Sequence, residues 1–224
     1  MRMKNKGFTL VELLLAVAIF GAVASTLFLT FNTIISNVNP MTGAMDHYES
    51  GIRAMDRLKA DLMALYLAQP PVYYPPGGDR PRDRFRFVLG ERDIQGRSFS
   101  LLRFASFEHL GFYPEDTDAL GILSYFVTPG KGGLVLRRWD RGLTYYREDG
   151  DPPLNIPVLC RGVQGFIIEA VDDQGEAQTH WHSDDPDHGY STPISLRITL
   201  KIGDPQAPEV FASTLVLPSV RRKG

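Results

Sequence analysis

The chain has 224 residues, of which 24 are basic and 26 acidic; without Arg2, Lys4 and Lys6 at its start the balance is 21 against 26, a net −5. That argues against a nucleic-acid binder, which normally carries a basic face. Cys160 is the only cysteine, which excludes an internal disulfide and a clustered-cysteine zinc site and leaves a buried free thiol as the expectation.

The first predicted element is a long apolar helix. Arg2, Lys4 and Lys6 precede Gly7, and from Phe8 to Ile35 one charge interrupts the apolar run, Glu12. Leu13 to Phe31 carries no charge and spans roughly 28 Å as a helix, about one hydrocarbon core. The run is longer than a secretory signal core of roughly 7–15 residues and has no A-x-A-like site in the usual place. Positive charges lie before it and no charge follows until Asp46, which orients residues 1–7 to the cytoplasm and the rest outside. A plain anchor fits all of this except Glu12 and the Gly7-Phe8 junction. A lone carboxylate in such a segment is costly, so it needs a partner or a route to the interface.

Asn39-Pro40 and Gly43 are expected to kink or interrupt the helix. Met45, Tyr48, Ile52, Met55, Leu58, Leu62 and Leu65 then recur at spacings of three and four, an amphipathic stripe. It is expected to pack on the domain's own sheet and also to meet partner helices, through Met45, Tyr48, Ile52, Met55 and Leu62. Glu49–Arg53 and Arg57–Asp61 are i, i+4 pairs placed on the wetter side. From Gln69 to Asp83 five prolines and Gly77-Gly78 exclude helix and disfavour strand.

From Arg84 on, strands are expected: Phe85, Phe87 and Leu89 alternate, and Ser98–Phe104 and Leu120–Thr128 read as strands. A Pro129–Gly133 turn leads to Leu134–Trp139, a turn at Asp140-Arg141-Gly142, and a strand at Leu143–Arg147. Val163–Val171, Ala177–His182, the alternating Ile194–Ile202 and Val210–Leu217 complete the set. Helix first and hairpins after predict an α+β fold, with the helix laid on antiparallel sheet.

Few residues bear site chemistry. His180 and His182 would share a strand face, with His188 a loop away, as zinc ligands; Asp184, Asp185 and Asp187 could supply oxygens to calcium. Loops rich in Asp, Pro and Gly are more often solvated hairpin tips, as Glu115, Asp116 and Asp118 are also expected to be. The tail Arg221-Arg222-Lys223 reads as a solvated end. There is no G-x-S-x-G, no H-E-x-x-H and no phosphate-cradling loop beside a helix, so no catalytic residue, cofactor or small-molecule substrate is expected.

Lys6-Gly7-Phe8-Thr9-Leu10-Val11-Glu12, followed at once by the apolar helix, resembles the class III signal of type IV pilins and type II secretion pseudopilins. The resemblance implies that a prepilin peptidase cuts after Gly7 and that the new amine of Phe8 is N-methylated. It also implies that Glu12 of one subunit pairs with that ammonium on a neighbour, two charges tolerable together where each alone is costly. The alternative is a Glu12 that snorkels to the interface. Further on, Gly142–Arg147, the Val163–Val171 hairpin with Trp181, and Thr192–Leu200 occur in the order seen in the J-type minor pseudopilins, although Pro193-Ile194-Ser195 departs from the commoner Leu-Pro start.

The resemblance implies a single-pass inner-membrane protein with a cytoplasmic N-terminus and a periplasmic domain. Its partners would be the I-type and K-type minor pseudopilins and the major pseudopilin, at or near the tip of a pseudopilus. Glu12 fits a subunit below the very tip. The implied organisation is a leader at 1–7, a transmembrane and assembly helix at 8–35, a periplasmic amphipathic helix at 36–68, a proline-rich loop at 69–83 and a β-rich domain at 84–224. A minor pilin of a type IV pilus shares the leader and stays open, as does a membrane-anchored metal-binding or enzymatic protein.

Overall fold

A computed structural model describes residues 10–77, 81–110, 118–146 and 156–222, with side chains described throughout these except at 31–45. The chain divides into two units, one up to Asp46 and one from His47 onward. Helix α1, Leu10–Met63, contributes to both. Its assignment runs unbroken through Pro40 and Gly43, so the interruption expected there does not occur. A proline in a helix interior removes one hydrogen bond and crowds the preceding turn, at about 3 kcal/mol. Its neighbours on either side keep their own bonds, and a 54-residue helix survives the loss of one rung.

The unit from His47 is an α+β domain. The last turns of α1 bury Ala54, Met55, Leu58 and Leu62, the helical stripe read from the spacing. Strand β1 (Leu65–Tyr66) follows, then β2 (Val88–Ile94), β3 (Arg97–Ser106), β4 (Gly121–Gly130), β5 (Gly133–Gly142) and β6 (Val158–Arg161). After these come β7 (Val163–Val171), β8 (Ala177–Gln178), β9 (Trp181–His182), β10 (Ser195–Gly203) and β11 (Pro208–Val216). One sheet has the order β6-β5-β4-β3-β2-β9, with β1 also on β3; the other has the order β11-β10-β7-β8. The pairings are antiparallel. This is the pilin-like architecture: an apolar N-terminal helix followed by antiparallel sheet.

The core joins α1 to both sheets: Leu58 and Leu62 share one cluster with Phe104, Leu123, Tyr125, Phe166, Ile198 and Leu200. The β2–β3 hairpin closes on Gln95 and Gly96, both at positive φ (57° and 75°), the pattern a two-residue turn needs to match strand twist. Gly51 marks the closest approach of α1 to the second sheet. A Cβ there would stand 2.4 Å from the Phe211 ring and 2.8 Å from Ile202.

Several expected elements differ. β5 runs through Asp140-Arg141-Gly142, because the β4–β5 hairpin stays in register as far as Gly121↔Gly142. The predicted strand at Leu143–Arg147 is a turn at 143–145, with the Tyr145 and Tyr146 N–H groups donating to the Gly142 carbonyl; Arg147 lies outside the described residues. Ala177–His182 is not one strand: β8 pairs with β7 and β9 pairs with β2, in different sheets. His180 therefore falls between two strands. β6 carried too little alternation to be anticipated.

Candidate functional site

The first unit offers one chemical surface. Leu10–Thr30 has a mean hydropathy of 2.3 and none of it is buried. Leu14, Phe20, Leu27 and Phe28 stand 63–75% exposed. Its hydroxyls turn inward: Ser25 donates to the Gly21 carbonyl at 2.8 Å and Thr30 to that of Thr26 at 2.8 Å. These bonds satisfy the hydroxyls within the helix, so apart from Glu12 what remains outward is hydrocarbon. Length and composition fit one membrane crossing. Glu12 lies in the first turn with its side chain exposed. The helix dipole favours a carboxylate at that end. Gly7 and Phe8 lie outside the described residues.

In the second unit the amphipathic stripe is split by packing. Met55 and Leu62 are 4% and 0% exposed and belong to the domain's own core. Tyr48 and Ile52 are 52% and 38% exposed, and the Tyr48 ring stands 5.6 Å from that of Phe211. Of the stripe's described residues, Tyr48 and Ile52 remain open to a partner, beside the exposed Glu49–Arg53 pair. The side chain of Met45 lies outside the described residues.

Asp61 does not belong to the wet side, as its spacing from Arg57 led us to expect. It is fully buried. Its carboxylate accepts from Arg138 Nε at 2.6 Å, from Arg57 Nη2 at 2.7 Å and from the Tyr125 hydroxyl. Arg138 in turn donates to Asp140 at 2.6 Å and to the Glu108 carbonyl at 2.9 Å. Asp140 also meets His109 Nδ1 and accepts the Leu110 N–H at 2.7 Å. Burial alone lowers the pKa of Arg138; Asp61 and Asp140 outweigh it and hold the guanidinium charged. Burial and then Asp61 push the Tyr125 hydroxyl well above its ordinary value. The cluster bolts the end of α1 to β4 and β5. The signal was present in strand parity: Arg138 and Asp140 share a face with buried Leu134 and Leu136.

A second cluster reverses the reading of Arg221 in the tail; Arg222 is exposed, as expected, and Lys223 lies outside the described residues. Arg221 is 3% exposed, not a solvated end. Its guanidinium lies 3.4 Å over the Tyr73 ring and donates to the Ser183 carbonyl at 2.5 Å and to Asp184 at 3.2 Å. Asp184 also accepts from Tyr73 at 3.1 Å and from the Asp83 N–H at 2.6 Å. Its oxygens are committed to the fold. Asp185 accepts from the Asp187 N–H at 3.0 Å, capping a short 3-10 turn at Pro186–His188. His188 stacks on Trp181, 4.4 Å between centroids, while His182 accepts from the Asp184 N–H at 3.2 Å. Among the described residues no three His, Cys, Asp or Glu side chains converge as a metal site. Beside this cluster is a cleft of about 430 Å³, lined by Asp172, Asp173, Trp181, Ile194, Val220 and Arg222 among others. Cys160 is buried and its thiol pKa is pushed up to about 12 by burial, which holds it unreactive.

Residues 2–28 match the model of the prokaryotic N-terminal methylation motif. No curated protein matches the chain. The motif and the α+β architecture support a pilin- or pseudopilin-like protein. The motif implies processing by a prepilin peptidase and membrane-based, pilus-like assembly, and the single apolar N-terminal helix fits membrane anchoring.

Proposed function

We propose that the chain is a minor pseudopilin of a type II protein secretion system, of the J type. It assembles with I-type and K-type minor pseudopilins and the major pseudopilin at or near the tip, and helps to start the fibre used for export. The observation that carries this reading is the methylation motif over residues 2–28, with one carboxylate, Glu12, in the first turn of an otherwise apolar, unburied helix. Cleavage after Gly7 leaves a methylated ammonium on Phe8. Glu12 of an adjacent subunit meets that charge within the membrane, which fixes one axial stagger between helices. The chain performs no catalysis; its work is done by contacts, with the N-terminus in the cytoplasm and the domain in the periplasm. The β-region resemblance supports the J type over a minor pilin of a type IV pilus.

Two experiments test the reading. Glu12→Ala is expected to be cleaved normally and to lose secretion; full secretion by that variant reduces Glu12 to a snorkelling side chain. The full chain should co-purify with the I-type and K-type proteins of the same cell. A folded preparation that retains neither overturns the pseudopilus assignment in favour of a type IV minor pilin.

A further inference from the structure

The edges of the two sheets are unequal. β6, β8 and β9 are short edge strands of four, two and two residues. β11 leaves a nine-residue edge, and among the described residues only β10 pairs with it. Proteins usually blunt such edges with short strands, lysines, prolines or bulges. β11 has a regular register on β10 from Ser195↔Val216 to Gly203↔Pro208, and one charge, Glu209, near its start.

The backbone groups that face outward can be assigned. The Leu217 N–H donates to the Ile194 carbonyl at 2.9 Å, so Leu217 points toward β10. Antiparallel alternation then turns Leu215, Ser213, Phe211 and Glu209 toward β10 as well. The N–H and C=O groups of Val216, Thr214, Ala212 and Val210 point to the open edge. Their side chains lie on the exposed face, with Val210 57% and Val216 65% exposed.

This edge is symmetric about Ser213. Val210 and Val216 lie three residues to either side, Ala212 and Thr214 one, and Pro208 and Pro218 five. A second copy laid antiparallel across a two-fold axis at Ser213 pairs Ala212 with Thr214 and Val210 with Val216. All four outward residues then find partners. Glu209 falls opposite Leu217, not opposite another carboxylate. Shifting the axis to Ala212 or Thr214 sets Pro208 or Pro218 opposite an outward residue and wastes hydrogen bonds. Among the described residues, the other stretches with no strand beside them are Gly90–Ile94 of β2, which is shorter and carries Glu91, Arg92 and Asp93, and Val163–Glu169 of β7, whose outward groups meet Ser100 and Arg97, so a closed pair fits β11 better than a head-to-tail array. The geometry points to β11 as a self-association edge, which joins two copies of this chain into one continuous sheet through Val210, Ala212, Thr214 and Val216.

Cross-linking of the full chain in membranes tests this. At the axis two Ser213 residues form a non-hydrogen-bonded pair with Cα atoms about 4.5 Å apart, within disulfide reach. Ser213→Cys is expected to give a covalent dimer under mild oxidation. The parent chain, with only buried Cys160, and Thr199→Cys, on central strand β10 away from the open edge, are expected to give none. Thr214→Pro, which removes an outward N–H from each copy, should lower the cross-linked fraction about tenfold; Thr214→Lys should do the same if the proline variant fails to fold. Absence of the dimer in a chain that keeps its thermal transition overturns the proposal. So does equal cross-linking from Thr199→Cys, undiminished dimer in both Thr214 variants, or an adduct of Ser213→Cys whose mass is not twice that of the chain.

Discussion

Leu10–Thr30 and Ala54–Leu62 lie on one helix and use hydrophobicity in opposite ways. In the first, apolar side chains run all round and none of the stretch is buried. In the second, Ala54, Met55, Leu58 and Leu62 form one stripe that is 0–4% exposed, against sheet. A helix apolar on every side is made for lipid or for other helices, and a helix apolar on one side for its own core. The polar residues divide likewise. Ser25 and Thr30 turn their hydroxyls onto their own backbone, whereas Asp61 reaches out of the helix to Arg138 and Tyr125. Secondary structure therefore says little about role here; the distribution of apolar and charged groups around the helix says most of it.

The sharpest way to break the contrast is at Asp61. Asp61→Ala leaves buried Arg138 and half-buried Arg57 without the carboxylate they share, and removing one partner of a buried pair costs about 3–5 kcal/mol. For a domain of this size that is a fall of roughly 10 °C in thermal unfolding, with membrane association of the chain unchanged. A fall of only a degree or two would mean that Asp140 and the Glu108 carbonyl suffice for Arg138.

The same contrast can be read in leucines. Leu62→Ala removes a fully buried side chain and should cost about 2–5 kcal/mol. Leu14→Ala, at a position 63% exposed, should leave unfolding of the domain within about 0.5 kcal/mol of the parent. Denaturant melts of the two variants side by side check the pair. A large loss from Leu14→Ala would show that the apolar stretch also stabilises the domain.

What the sequence made legible follows the range of the interactions. The methylation motif is a contiguous string, readable without the fold. The α1 stripe and strands such as Val163–Val171 repeat every three to four or every two residues, and local pattern suffices for them. The buried charges are different. Asp61 sits at i+4 from Arg57 and looks like a surface pair, yet its decisive partner, Arg138, is 77 residues away. Arg221 in a basic tail gives no local hint of Asp184 and Tyr73. Asp140-Arg141-Gly142 reads as a turn by composition, and only its pairing with β4 makes it strand. Charged residues read as exposed wherever the compensating charge lies far along the chain.

The smallest predicted effect concerns pH. Burial, then Arg86 and Arg82, hold His182 below its ordinary value of 6.5, against weaker opposing pulls from Asp184 and Asp185. Its Nδ1 accepts the Asp184 N–H at 3.2 Å, which requires that nitrogen to be unprotonated, so the neutral ring belongs to the fold. The unfolded chain then binds the proton more readily than the folded one. Stability is whole above about pH 6.5 and is lost as the pH falls from there through the lower folded-state value. Asp83 shifts the other way, raised by burial above 3.8; its contribution is present below that value and lost as the pH rises through the higher folded-state one. The two slopes oppose each other, so a single acid melt of the parent chain blurs them. His182→Gln keeps an acceptor at that position and removes the titration. Thermal melts of the parent and His182→Gln should converge at low pH relative to their separation at neutral pH, the parent losing more on acidification. Parallel curves across that range would place His182 in the same protonation equilibrium folded and unfolded, and would detach the β9 edge from the Asp184–Arg221 cluster beside it.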